Sequence, residues 1–136
     1  MKQTGEELAK ALAAATDGLL YPSESDSPVT SFVRDGGALS VASPKDALKL
    51  GDYPAKTHVS TQGLERFFKP ATEVQDWFGD EERGRAARFT ALRDLLKANL
   101  TKLKVYRIGD VTKDVYVVGR SSAGEIAGIK TQVVET

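Results

Sequence analysis

The stretch that decides the fold is Lys102–Thr136, "KLKVYRIGDVTKDVYVVGRSSAGEIAGIKTQVVET". It divides into three β-rich runs, "KLKVYRIGDV", "KDVYVVGRS" and "GEIAGIKTQVVET". Val, Ile, Tyr and Thr dominate them, and short turns at Gly109-Asp110 and Ala123-Gly124 separate them. Such spacing predicts an antiparallel meander. The last run keeps its strand character to Glu135 and Thr136 with no polar tail. A strand continued to the final residue would hold the terminal carboxylate in a defined place, because chain ends fray unless a sheet or a docked helix ties them down.

Upstream, the pattern changes from a period of two to a helical one. "ATEVQDWFGDEERGRAARFTALRDLLKANLT" reads as a loop followed by the strongest helix, about Asp80 to Leu100. Phe89, Leu92, Leu95 and Leu96 form its apolar stripe, and Asp80, Glu81 and Glu82 suit the positive end of its dipole. "TGEELAKALAAATDGLL" opens with Thr4 and Glu7 at capping-box spacing and reaches Gly18 where a helix C-cap belongs, so a first helix is predicted there. Between these helices, "YPSESDSPVTSFVRDGG" reads as a loop leading to an extended segment over Val29–Val33. Pro44 can start a short helix at Lys45 that Gly51 and Pro54 break, and Ser60 to Phe68 reads as another short helix ended by Pro70. Helix, strand, helices and a meander together give an α+β layered domain, one unit over 1–136.

Composition narrows the function classes. The 136 residues include 19 basic and 19 acidic side chains and no cysteine. This balance argues against direct nucleic-acid binding, which normally demands a basic face, and confines charge-based recognition to local patches. Without cysteine there is neither a disulfide framework nor thiol chemistry. No apolar run approaches the roughly 20 residues of a membrane helix, and Met1–Glu7 lacks the apolar core of a secretory signal, so a cytoplasmic, non-membrane protein is expected.

Catalytic chemistry finds little to stand on. The only histidine, His58, has no second histidine or cysteine to share a metal and no nucleophile context, so it reads as a surface or structural residue. Gly36-Gly37 lacks the Gly-Lys-Ser/Thr of a phosphate loop. Three features remain open to two readings each. "SESDSP" is either a set of turn and capping residues or an acidic finger carrying Glu24. In "VQDWFGD", Asp76 and Trp77 lie beside Phe78, and the aromatic pair is either a hydrophobic staple on the long helix or, for Trp77, an interface anchor. Thr136 is either an ordinary terminus or a pair of hard oxygen donors suited to Mg²⁺.

"DGLLYPSESDSP", "QDWFGDEE" and above all "VYRIGDVTKDVYVVGRSSAGEIAGIKTQVVET" resemble the nuclease A inhibitor family, small proteins that block sugar-non-specific DNA/RNA endonucleases. The resemblance covers essentially the whole chain. It implies a three-layer α/β/α sandwich with an antiparallel-rich sheet, no enzymatic activity and no cofactor of its own. It also implies a one-to-one complex with the nuclease by a protein that is monomeric when free. Carried over by position, Thr136 places its side-chain oxygen on the nuclease Mg²⁺, Glu24 points into the same active site, and Asp76 and Trp77 pack on the nuclease surface nearby. The acidic loop continues "SDSP" where the family leads one to expect an aromatic residue beside the proline. An adaptor of the same fold with an unrelated partner is the alternative.

Overall fold

A computed structural model describes residues 5–22, 26–35, 44–51 and 53–134. Helix α1 (Gly5–Thr16) leads to a two-residue ladder of β1 (Leu20–Tyr21) with β2 (Ser27–Pro28), and then to strand β3 (Thr30–Arg34). Helix α2 (Pro44–Ala47) continues as a 3₁₀ turn (Leu48–Leu50) before strand β4 (Val59–Gln62) and helices α3 (Leu64–Thr72) and α4 (Asp80–Asn99). Strands β5 (Thr101–Gly109), β6 (Thr112–Arg120) and β7 (Ile126–Val134) complete the described chain. The main sheet is antiparallel throughout, in the order β3-β7-β6-β5-β4. The predicted meander is its centre.

Both faces of this sheet are covered, which is why "VYVV" in β6 is continuously apolar instead of alternating. Val115 and Val117 join a core with Val105, Ala127 and Ile129, packed under Leu8 and Leu12 of α1, Phe67 and Phe68 of α3, and Phe89, Leu92 and Leu96 of α4. Tyr116 and Val118 point the other way, where Tyr106, Ile108 and Ile126 meet Ala47 and Leu50 of the short α2 and 3₁₀ segment. The side-chain period of two sorts one strand between two cores. The result is the expected three-layer α+β sandwich, with a thick helical layer on one face and a thin one on the other.

The C-cap predicted at Gly18 is present, while Thr4 of the predicted capping box lies outside the described residues. Gly18 stands just past α1 with φ of +69°, a conformation that costs glycine nothing. At the start of α4, the Gly79 backbone N–H donates to Glu82 Oε2 at 2.7 Å, half of a reciprocal cap supplied by the helix's own first turn. The buried residues of α4 include Phe89, Leu92 and Leu96, at the i, i+3, i+7 spacing of one face. Each such side chain contributes roughly 2 kcal/mol by leaving water.

The segment from Ser60 to Phe68 differs from the sequence reading. Its first part is strand β4, and the helix that follows runs through Pro70 to Thr72. Val59 and Thr61 are β-branched and pair with Ile108 and Tyr106 along the free edge of β5, so tertiary pairing outweighs the weak helical pattern. Pro70 is exposed and lies in the last turn of α3, where its missing N–H removes a single helical hydrogen bond. The β1–β2 ladder is too short to leave a period in the sequence.

Candidate functional site

Sheet register defines an end of the molecule. Thr112 pairs with Val134 and Gly109 with Lys113, so the β5–β6 turn and the last described residue of β7 lie together, while Thr30 pairs with Lys130 midway along β7. The opposite end holds the tight junction from α4 into β5, where Thr101 pairs with Arg120. Only Leu100 separates α4 from β5, so the helix folds back over the sheet and its N-terminus lies toward the Val134 end.

Side-chain contacts bind two further segments to that end. Thr131 Oγ1 donates to Pro28 O at 3.1 Å, and the Val29 N–H donates to Leu19 O at 3.0 Å, so both feet of the acidic loop are fixed. Register Leu20↔Pro28 and Tyr21↔Ser27 makes the chain reverse between them. Asp26, at the loop's described edge, is 4.0 Å from Arg85 on α4. Arg88, one turn further, donates to the carbonyls of Ala15 and Asp17 at 3.1 and 2.8 Å, clamping the end of α1 to α4. Glu24 itself, like Thr136, lies outside the described residues.

Asp76 and Trp77 occupy the middle of a turn closed by the Phe78 N–H donating to Gln75 O at 3.1 Å. Arg83 Nε donates to Phe78 O at 3.2 Å, tying this turn to α4. Phe78 is half-buried, and the residue four places into α4 that a staple would pack on is Arg83, which is not apolar. Trp77 does not share that burial: the indole stacks edge-on against Phe78 at 4.6 Å between centroids, yet 76% of the residue faces solvent. Indoles are rarely left in water without a use, because they carry a large apolar area and one polar N–H. Asp76 is fully on the surface beside it.

Sequence reasoning missed three neighbours of this constellation. Leu20, Val74 and Val111 are, with Trp77, the exposed large hydrophobic residues among the described ones. Leu20 lies on β1, Val74 in the α3–α4 loop and Val111 in the β5–β6 turn, all at the same end. In the sequence they sit among turn residues and look like ordinary apolar fillers. Asp26, Asp76, Asp80, Glu81 and Asp110 are exposed residues of the same segments, alongside the arginines Arg83, Arg85 and Arg88. An open groove of about 690 Å³ runs between Leu19-Leu20 and Glu81, Glu82, Arg85 and Arg88.

No group of three or more His, Cys, Asp or Glu side chains arranged to hold a metal is present among the described residues. His58 is exposed, and its backbone carbonyl accepts the Gly109 N–H at 2.9 Å, in keeping with a surface role. Among the described residues no helix is long and apolar enough to cross a membrane. What this end presents is an exposed indole, three exposed aliphatic side chains and a mixture of acidic and basic residues.

No curated protein matches the chain. The family described as nuclease A inhibitor-like protein matches residues 6–136, which takes in the meander, the Asp-Trp turn and the acidic loop. The protein therefore belongs to the nuclease A inhibitor-like family.

Proposed function

We propose that this protein inhibits a sugar-non-specific, Mg²⁺-dependent DNA/RNA endonuclease by plugging its active site in a one-to-one complex. Family membership supports a nuclease-inhibitor role in general. The observation that carries the finer reading is the gathering of three separate chain segments at one end of the sheet. These are the feet of the Glu24 loop, the Asp76-Trp77 turn and the strand that leads to Thr136.

The physical argument begins with the partner's metal. Mg²⁺ dehydrates reluctantly, keeps exchangeable waters and waits for a phosphate oxygen, so an oxygen of Thr136 can take a substrate position. Strand β7 pairs over nine residues with β6 as far as Val134, so the chain that leads to Thr136 is anchored before binding. Glu24 adds negative charge for the basic groove around that metal. Although the whole chain is neutral, carboxylates at this end steer it to a basic substrate groove and raise the on-rate at low salt. Trp77 supplies the apolar anchor, worth about 2 kcal/mol once desolvated.

The test is titration into a Mg²⁺-dependent nuclease of this class digesting DNA, comparing the intact chain with Thr136-deleted and Trp77→Ala forms. Stoichiometric inhibition is expected. Either change should weaken it about 30-fold or more, the equivalent of 2 kcal/mol, with the circular dichroism unaltered. Failure to inhibit any of several such nucleases at micromolar protein would overturn the proposal and leave the adaptor reading in its place.

A further inference from the structure

Away from the recognition end, the junction of β4, α3 and β5 opens into a cleft of about 640 Å³ lined by Thr61, Gln62, Gly63, Arg66, Lys104 and Arg107. Three of these six residues are cationic and none is acidic. Glu65, the carboxylate adjacent to Arg66 in sequence, is drawn to α4 instead, 3.6 Å from Arg93 and 3.2 Å from Lys97. Around the start of α4, by contrast, carboxylates and arginines are mixed, with Glu81 and Glu82 beside Arg85 and Arg88.

We propose that this cleft is a binding site for phosphate groups, with Arg66, Lys104 and Arg107 as the recognising cations and Thr61 and Gln62 as polar neighbours. Guanidinium groups match the paired oxygens of a phosphate, and a lysine adds a compact charge. A concave, mostly polar lining suits a small hydrated oxyanion better than an apolar ligand. The phosphate can come from a free phosphate or from a phosphodiester chain. The site is separate from the residues assigned to nuclease inhibition, so it stands or falls independently of that role.

Gly63 provides a decisive variant. It precedes α3 with φ of −70° and ψ of 146°, carries no side-chain cap, and a Cβ there would meet nothing within 4 Å. Gly63→Asp thus puts a carboxylate into the cleft while giving α3 an N-cap, so the protein should melt at a higher temperature and lose the anion. Loss of binding in that variant cannot come from unfolding.

The experiment is ¹⁵N–¹H NMR titration of the full chain with inorganic phosphate and, separately, with an oligothymidylate of about ten nucleotides, each against chloride at matched ionic strength. Saturable shifts confined to the amides of Gln62–Arg66 and Lys104–Arg107, lost in Gly63→Asp and reduced at least tenfold in affinity by Arg66→Gln, are the expected result. Affinity for the oligonucleotide at least tenfold above that for phosphate would identify a phosphodiester chain as the source. Its log K should then fall with log salt at a slope of about −2 for three phosphates contacted. Equal affinities would identify an isolated phosphate group. Shifts spread over every lysine- and arginine-bearing segment, or binding unchanged in both variants, would overturn the proposal. A Gly63→Asp chain that still inhibits nuclease, and a Thr136-deleted chain that still binds phosphate, would show the two functions to be separate.

Discussion

The two faces of the central sheet use the same strands for different ends. Under α1, α3 and α4 the core is almost wholly apolar, with Leu8, Leu12, Phe68, Phe89, Leu92 and Leu96 fully buried. Under α2 and the 3₁₀ turn the cover is only seven residues long, and the core is built from aromatic hydroxyls as well as hydrocarbon. There the Tyr53 hydroxyl donates to Asp114 Oδ2 and lies 3.0 Å from the Tyr116 hydroxyl, while Gln132 Nε2 donates to Asp114 Oδ1 at 3.0 Å. Lys130 sits 5.5 Å from the Tyr116 ring centroid. The thick face supplies most of the burial energy. The thin face fixes strand register through directional bonds that a slipped pairing would leave unmade.

Phe89→Ala should break this contrast most severely. It empties the centre of the thick face and should lower stability by about 3–5 kcal/mol, read as a fall in the denaturant midpoint at unchanged slope. A loss under about 1 kcal/mol would mean that the helical layer can collapse onto the sheet and is not the rigid core described.

Alkaline pH should act next, again through the thick face. Burial raises the Tyr21 hydroxyl from the ordinary tyrosine range to about 12, against a smaller opposing pull from Arg107, and this hydroxyl donates to Phe67 O at 2.6 Å. The folded state therefore keeps a proton that the unfolded chain releases near pH 10. The associated stability is intact below pH 10 and disappears as pH climbs to about 12, a loss of roughly 2 kcal/mol. Denaturant melts at pH 9 and at pH 12, with Tyr21→Phe as the control whose dependence is flatter, would check it. Desolvation, with the hydrogen bond to Asp114 adding to it, likewise holds Tyr53 protonated above the ordinary tyrosine range.

Tyr53→Phe sharpens the comparison with the smallest effect. Asp114 is half-buried and retains Gln132, so water can replace the missing donor, and about 1 kcal/mol should be lost. If Tyr53→Phe proved as damaging as Phe89→Ala, the thin face would be the principal core and the contrast would be reversed.

Much of this protein is legible in its sequence, for reasons that are local. The α4 stripe of Phe89, Leu92 and Leu96, the acidic first turn at Asp80–Glu82 and the glycine after α1 all act within a few residues, so periodicity and capping chemistry reveal them. The meander is legible because its three runs are long, β-branched and joined by short turns. Trp77 stood out by type, but the sequence allowed it to be either staple or anchor; only the tertiary structure showed that Phe78 takes the half-buried place and leaves the indole in solvent. Strand β4 was hidden because its four residues become a strand only by pairing with β5, and the bulge at the start of β5, where Lys102 has φ of 55°, leaves no pattern at all. Gly128 is similar: a Cβ would overlap the Val117 carbonyl oxygen and sit 3.1 Å from Val118 Cα, a constraint set by a neighbouring strand and not by any turn.

The sequence by itself determined the first helix, the long helix, the meander and the family resemblance that the meander carries. Tertiary structure decided which elements meet: that the flanks of the acidic loop are tied to β7 and α4, and that Arg66, Lys104 and Arg107 line one cleft. The reason is physical. Local conformation depends on neighbours along the chain, whereas a surface is assembled from residues far apart in it, and their proximity is fixed only when the core beneath them packs.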